Sequence, residues 1–150
     1  MDICFTNITP LTLGFAELRT QSMSSGFNML RRLDENWLSC QNRFDRPGEK
    51  LLGAWVEGLL VGVCGLNIDP YSSIPGSGRL RHLYVDTAWR NKQVGSLLLT
   101  ETLKESCRWF DFINTNAPPP AYSFYEQAGF VAVSGIDRVT HRLCLSGTPR

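Results

Sequence analysis

Apolar residues recur along this chain with two different spacings, and the alternation between them outlines the fold. Residues 2–7 (Asp2-Ile3-Cys4-Phe5-Thr6-Asn7) read as a short strand. Thr9-Pro10 then predicts a helix running to about Ser22, with Thr9 as N-cap and Pro10 as its first residue. Met29, Leu30, Leu33, Trp37 and Leu38 fall at helical spacing and predict a second helix over about 27–40. The period then changes. Leu51–Val56 and Leu59–Asn67 are strand-like runs joined by Glu57-Gly58, a tight-turn pair, so a hairpin is predicted. Pro70, Pro75, Gly76 and Gly78 mark 68–78 as a loop. Arg79–Val85 is predicted as a strand, Lys92–Cys107 as a helix with Val94, Leu97, Leu98, Leu99 and Leu103 inward, and Trp109–Asn114 as a strand. A short helix is predicted at about 120–127, closed by Gly129. Strands Phe130–Val133 and Arg138–Leu145 flank the Gly135-Ile136-Asp137 turn. This order implies an α/β arrangement on one mixed sheet, with a right-handed parallel crossover over 79–114.

Composition narrows the function classes. At 150 residues and 43% hydrophobic, the chain suits one domain with its own core, and no linker or repeat divides it. A formal net charge of +1 argues against general nucleic-acid binding and gives no reason to expect a membrane partner. The five cysteines, at 4, 40, 64, 107 and 144, lack C-x-x-C spacing. With only His82 and His141 beside them, they assemble no metal pattern, and free thiols in a reducing compartment are expected. No basic start followed by an apolar run opens the chain, and Leu51–Leu66 is broken by Glu57, so a cytoplasmic location is the expectation.

The segment from Leu83 to Ser96 carries the chemistry. A strand runs into a short turn and then into a helix, whose first N–H groups and positive dipole end suit a phosphate or pyrophosphate. Gly95 permits close approach to the backbone, and Arg90 and Lys92 add charge beside the turn. The same spacing also fits an ordinary strand–helix turn with solvated charges.

This run resembles motif A of the GNAT superfamily, the acetyl-CoA-dependent N-acetyltransferases. The family pattern is Arg or Gln, two residues, Gly, one residue, then Gly or Ala. Arg90 fills the first position and Gly95 the last, while Gln93 stands where the family has its first Gly and is expected to keep helical backbone angles. A second segment, Ala121-Tyr122-Ser123-Phe124-Tyr125-Glu126-Gln127-Ala128-Gly129-Phe130, resembles the family's A-x-x-x-Y-E-x-x-G-F stretch. The resemblance spans about 48–145.

The resemblance implies a GNAT-like fold with a central twisted sheet flanked by helices, acetyl-CoA as cosubstrate, no metal, and a small-molecule or peptide amine as acceptor. It implies that Leu83, Tyr84 and Val85 offer backbone to the pantetheine arm, Val85 foremost. It places the diphosphate on Gln93, Val94, Gly95 and Ser96 near Arg90 and Asn91, and brings Asn116 to the cofactor. Tyr125 takes the position of the acid that serves the departing thiolate, with Tyr122 one turn earlier as fallback. The resemblance also allows a homodimer. A non-catalytic CoA-sensing module on the same fold is the alternative, motivated by Gln93 and the lack of an evident general base. Strand alternation puts Leu83 and Val85 on one face with Arg79 and Arg81, and His82 with Tyr84 on the other. Arg79 and Arg81 are open to two readings: anchors for a carboxylate or CoA phosphate, or charges that protect a strand edge.

Overall fold

In the computed structural model, which describes residues 2–90 and 92–145, seven strands form a single sheet in the order β1-β2-β3-β4-β5-β7-β6. The strands are β1 Cys4–Asn7, β2 Lys50–Val56, β3 Leu59–Ile68, β4 Ser77–Val85, β5 Phe112–Thr115, β6 Val131–Ala132 and β7 His141–Cys144. Neighbours run antiparallel except β4 and β5, which are parallel. The helices are α1 Phe15–Ser24, α2 Met29–Leu38, α3 Val94–Leu103 and α4 Tyr122–Gln127. The α/β mixed-sheet architecture expected from the element order is the one observed.

The helices divide between two faces, and this explains the near-continuous apolar runs of β2 and β3. Leu52, Val61, Cys64, Leu66 and Leu80 pack with Leu98 of α3 and Tyr125 of α4 on one face. Leu51, Val63 and Tyr84 pack with Phe15, Leu18, Leu30 and Leu33 of α1 and α2 on the other. Central strands covered on both faces read as unbroken hydrophobic sequence rather than as alternation. The β2–β3 hairpin closes as predicted, with Glu57 and Gly58 both left-handed at φ 51° and 79°, the geometry of a type I′ turn.

Several predicted boundaries shift for local reasons. Thr9 caps only one turn: its hydroxyl accepts from the Leu11 N–H at 3.1 Å, and then Gly14, at φ 98°, redirects the chain so that α1 begins at Phe15. The helix predicted to reach Cys107 ends at Leu103. There the Ser106 hydroxyl donates to the Leu103 carbonyl at 2.7 Å and Glu105 turns left-handed. In consequence β5 begins at Phe112 rather than at Trp109. The prolines Pro118–Pro120 do not disturb α4. They lead into it through a single 3-10 turn, where a missing N–H costs nothing.

Candidate active site

The parallel pairing of β4 with β5 lasts three rungs, Ser77–Phe112, Gly78–Ile113 and Arg79–Asn114, and then stops, although β4 continues to Val85. A buried polar cluster fixes the point of separation. Asp69, just past β3, accepts from Arg79 Nε at 2.9 Å and from Asn114 Nδ2 at 3.0 Å, the two residues of the last rung. Arg142 Nε of β7 donates to Asn114 Oδ1 at 2.8 Å. Burial pushes the Asp69 carboxyl up, but the hydrogen bonds from Arg79, Asn114 and the Tyr71 amide outweigh it, and the net shift is downward.

Beyond this clamp β4 carries a bulge. Gly65 faces Arg81 and Val63 faces Tyr84, so two residues of β4, His82 and Leu83, lie against Cys64 alone. His82 takes φ 63° to make the extra step. The bulge overturns the strict alternation predicted for this strand. Leu80, Leu83 and Val85 join the α3-side core, whereas Tyr84 lies on the α1/α2 side. Arg81 borders a cavity on the α2 side, so the shared face predicted for Leu83, Val85 and Arg81 does not exist. His82 is packed edge-on to Phe44 with ring centroids 6.0 Å apart. Neither ring nitrogen makes a hydrogen bond of good geometry among the described residues, and burial, followed by the Arg81 charge and only weakly opposed by the Met29 main chain, lowers its pKa to about 3. Such a group is unsuited to accept a proton from an amine at neutral pH.

The open edge of β4 follows from its register. The Asp86 N–H donates to the Val61 carbonyl at 2.8 Å, so by antiparallel alternation Tyr84 and Asp86 turn their main-chain groups to β3, and Val85 turns its own away from it. Of the three residues proposed to offer backbone, Val85 is therefore aimed at the gap and Tyr84 is not, while Leu83 lies in the bulge. Tyr84 instead donates its hydroxyl to Gln21 Oε1 at 2.6 Å, and the Thr87 N–H reaches the same oxygen at 3.1 Å. Gln21 thus ties α1 to the turn after β4, a role that no local motif marks. The Val85 carbonyl is held by Arg90, whose Nε donates to it at 3.1 Å while its guanidinium lies 5.2 Å over the Tyr84 ring.

The turn into α3 departs from expectation at one residue. Gln93 is left-handed, at φ 65°, and not helical. It is the residue before α3, and its carbonyl accepts the Leu97 N–H at 3.0 Å. Val94, Gly95 and Ser96 form the first helical turn, so their N–H groups have no partner within the helix. A Cβ on Gly95 would meet Phe124 of α4 at 3.5 Å and Val85 at 3.6 Å, which places the helix start beside both the open strand end and α4. Asn116 is exposed directly after β5. Asn91 lies outside the described residues.

Tyr125 enters the same region from α4. It is 7% exposed, edge-on to Phe124 and Phe130. Burial raises its pKa above the usual phenol value; the Cys64 thiol adds to this and the Thr115 hydroxyl opposes it. The phenol is therefore protonated across the physiological range. Thr115 also donates to the Leu80 carbonyl at 3.1 Å, bridging β5 to β4 just past their last rung. Tyr122 is displaced outward and stacks edge-on against His141, with centroids 4.8 Å apart. His141 Nε2 lies 2.8 Å from Glu126, so this histidine fastens α4 to β7.

The fold that holds this arrangement has counterparts among known proteins. Residues 47–132 match the family described as Acetyltransferase (GNAT) domain. The chain belongs to the GNAT acetyltransferase family. Similar solved structures cover nearly all of this GNAT chain. A protein of Exiguobacterium sp. 255-15 assigned as an acetyltransferase has a TM-score of 0.84 at 25% identity, with 96% of this chain and 94% of that one covered. A ribosomal-protein-alanine N-acetyltransferase from Brucella melitensis follows with 0.71 at 18%, covering 95% and 99%. A GNAT-family acetyltransferase from Staphylococcus aureus Mu50 has 0.69 at 18%, covering 97% and 100%. No curated protein matches the sequence. Among the described residues, no group of three or more His, Cys, Asp or Glu could hold a metal ion, and no helix is long and apolar enough to cross a membrane.

Proposed function

We propose that this GNAT chain transfers an acetyl group from acetyl-CoA to a primary amine of a small molecule or peptide by direct attack. The observation that carries the reading is the unpaired end of β4, open at Val85 and lying beside the start of α3. Acetyl-CoA is a substrate here and supplies an activated acyl carbon. Val85 would pair with the amides of the pantetheine arm, as a strand pairs with a sheet edge. The N–H groups of Val94, Gly95 and Ser96, with the dipole of α3, would receive the diphosphate. For this Arg90 gives up the Val85 carbonyl, and its guanidinium then becomes available to a phosphate.

In the transfer, a nitrogen–carbon bond forms and the carbon–sulfur bond breaks. The ammonium loses one proton to water before attack; the nitrogen loses a second as the carbon–sulfur bond breaks, and that proton, relayed through water, ends on the departing sulfur. Tyr125 is the donor to that sulfur. With its pKa raised by burial, it acts by holding a hydrogen bond to the developing thiolate rather than as a strong acid. Asn116, at the end of β5, would steady the cosubstrate from the opposite side of the gap.

Thiol release from acetyl-CoA, followed with a panel of primary amines, tests the reading. Tyr125→Phe is expected to lower kcat about a hundredfold while leaving CoA affinity within about twofold. CoA binding without thiol release for any amine would instead support the sensing module.

A further inference from the structure

The opposite face of the split sheet holds a cavity of about 570 Å³, between the end of α2, the chain through residues 40–46 and β4. Arg43, Arg46 and Arg81 line it together with Asp45 and Glu49. Two of these groups, Glu49 and Arg43, are already engaged. Glu49 accepts from the Ile68 N–H at 2.9 Å and from the Arg46 N–H at 3.1 Å. Arg43 lies 4.1 Å over the Trp37 ring and donates Nε to the Trp37 carbonyl at 2.9 Å.

Arg81 differs. It is half-buried, yet it forms no salt bridge among the described residues. The nearby carboxylate, Asp69, is committed to Arg79 and Asn114. The Tyr71 side chain is a polar neighbour of Arg81. A half-buried guanidinium that faces this cavity and forms no salt bridge among the described residues suits an anion, and its forked donors match a carboxylate. Its position supplies the link to the reaction. Arg81 immediately precedes the bulge and stands two residues past the last rung between β4 and β5. Arg81 therefore joins the cavity to the stretch of β4 that has parted from β5.

We propose that this cavity is the acceptor site and that Arg81 selects primary amines carrying a carboxylate, an amino acid or a short peptide with a free C-terminus. The proposal rests on the acetyl-transfer reading above. It also separates two arginines that the sequence leaves equivalent: Arg79 is a structural partner of Asp69, and Arg81 is the recognition residue.

Two measurements test it, with amino acids and dipeptides compared against their C-terminal amides. In turnover with acetyl-CoA, the acids are expected to exceed the amides about tenfold or more in kcat/KM. Arg81→Met should erase that preference through KM, and Arg81→Lys should keep part of it. In a binding assay that needs no turnover, N-acetyl amino acids in the presence of CoA should shift the Arg81 Nε resonance and bind about tenfold more tightly than N-acetyl amino amides. Unchanged CoA affinity and melting temperature certify the variants as folded. Equal binding of acids and amides, or a preference that survives Arg81→Met, overturns the proposal. Discrimination in binding without thiol release would sink the acetyl-transfer reading and leave the carboxylate site standing; thiol release without discrimination would do the reverse.

Discussion

Two residues carry costs that their surroundings explain. Gln93 occupies a left-handed position where a side chain costs about 1–2 kcal/mol, partly offset because glycine loses more entropy on folding. Gln93→Gly is expected to raise the unfolding free energy by about 0.5–1 kcal/mol, measured by urea denaturation. The family's glycine at this place thus has a backbone reason independent of any ligand, one that spacing alone did not reveal. Asp69 is the opposite case. Removing it strands Arg79, whose side chain is only 5% exposed, so Asp69→Ala should cost about 3–5 kcal/mol in the same assay.

At the scale of the element, β4 is two strands in one. Its first half is paired on both sides, and its second half is paired only with β3. Amide hydrogen exchange should register the difference: the Val85 N–H is expected to exchange faster than that of Tyr84, and added CoA should slow Val85 selectively. Equal rates with and without CoA would count against β4 as the cosubstrate's edge. The elements themselves were largely legible in the sequence, because the hairpin, β4, α3 and α4 each carry a strong local period or turn signal. The bulge was not. Nothing in Arg79–Val85 announces that His82 will take an extra step, since this is set by the register against β3 and by the ring of Phe44 above it.

Across the molecule, buried titratable groups on both faces of the sheet set a pH window. His82 has an ordinary value of 6.5 and a folded value of about 3. Below 6.5 the unfolded chain takes up a proton that the folded chain refuses, so stability falls as pH falls, by at most about 1.4 kcal/mol per unit. Cys64 moves the other way, from 9.0 to about 12 by burial, with Thr102 opposing. Above 9.0 the unfolded chain releases a proton that the folded chain retains, so stability falls as pH rises, and the raised phenols of Tyr84 and Tyr125 add to the loss at higher pH. Urea midpoints between pH 4 and 10 should therefore form a plateau with two limbs, and His82→Gln should flatten the acid one.

By itself the sequence determined the class of fold, the order of its elements, the family, and the segments that hold the candidate site, because periodicity, turn residues and motif spacing are local properties of the chain. Only the tertiary structure decided where β4 leaves β5, that Val85 rather than Tyr84 faces the gap, that His82 is buried beyond use as a base, and that Arg79 has a carboxylate partner while Arg81 forms no salt bridge among the described residues. Those are relations between residues far apart in the chain. They are set by register, burial and the position of a single carboxylate, Asp69, which the chain brings to Arg79 and Asn114 only when it folds.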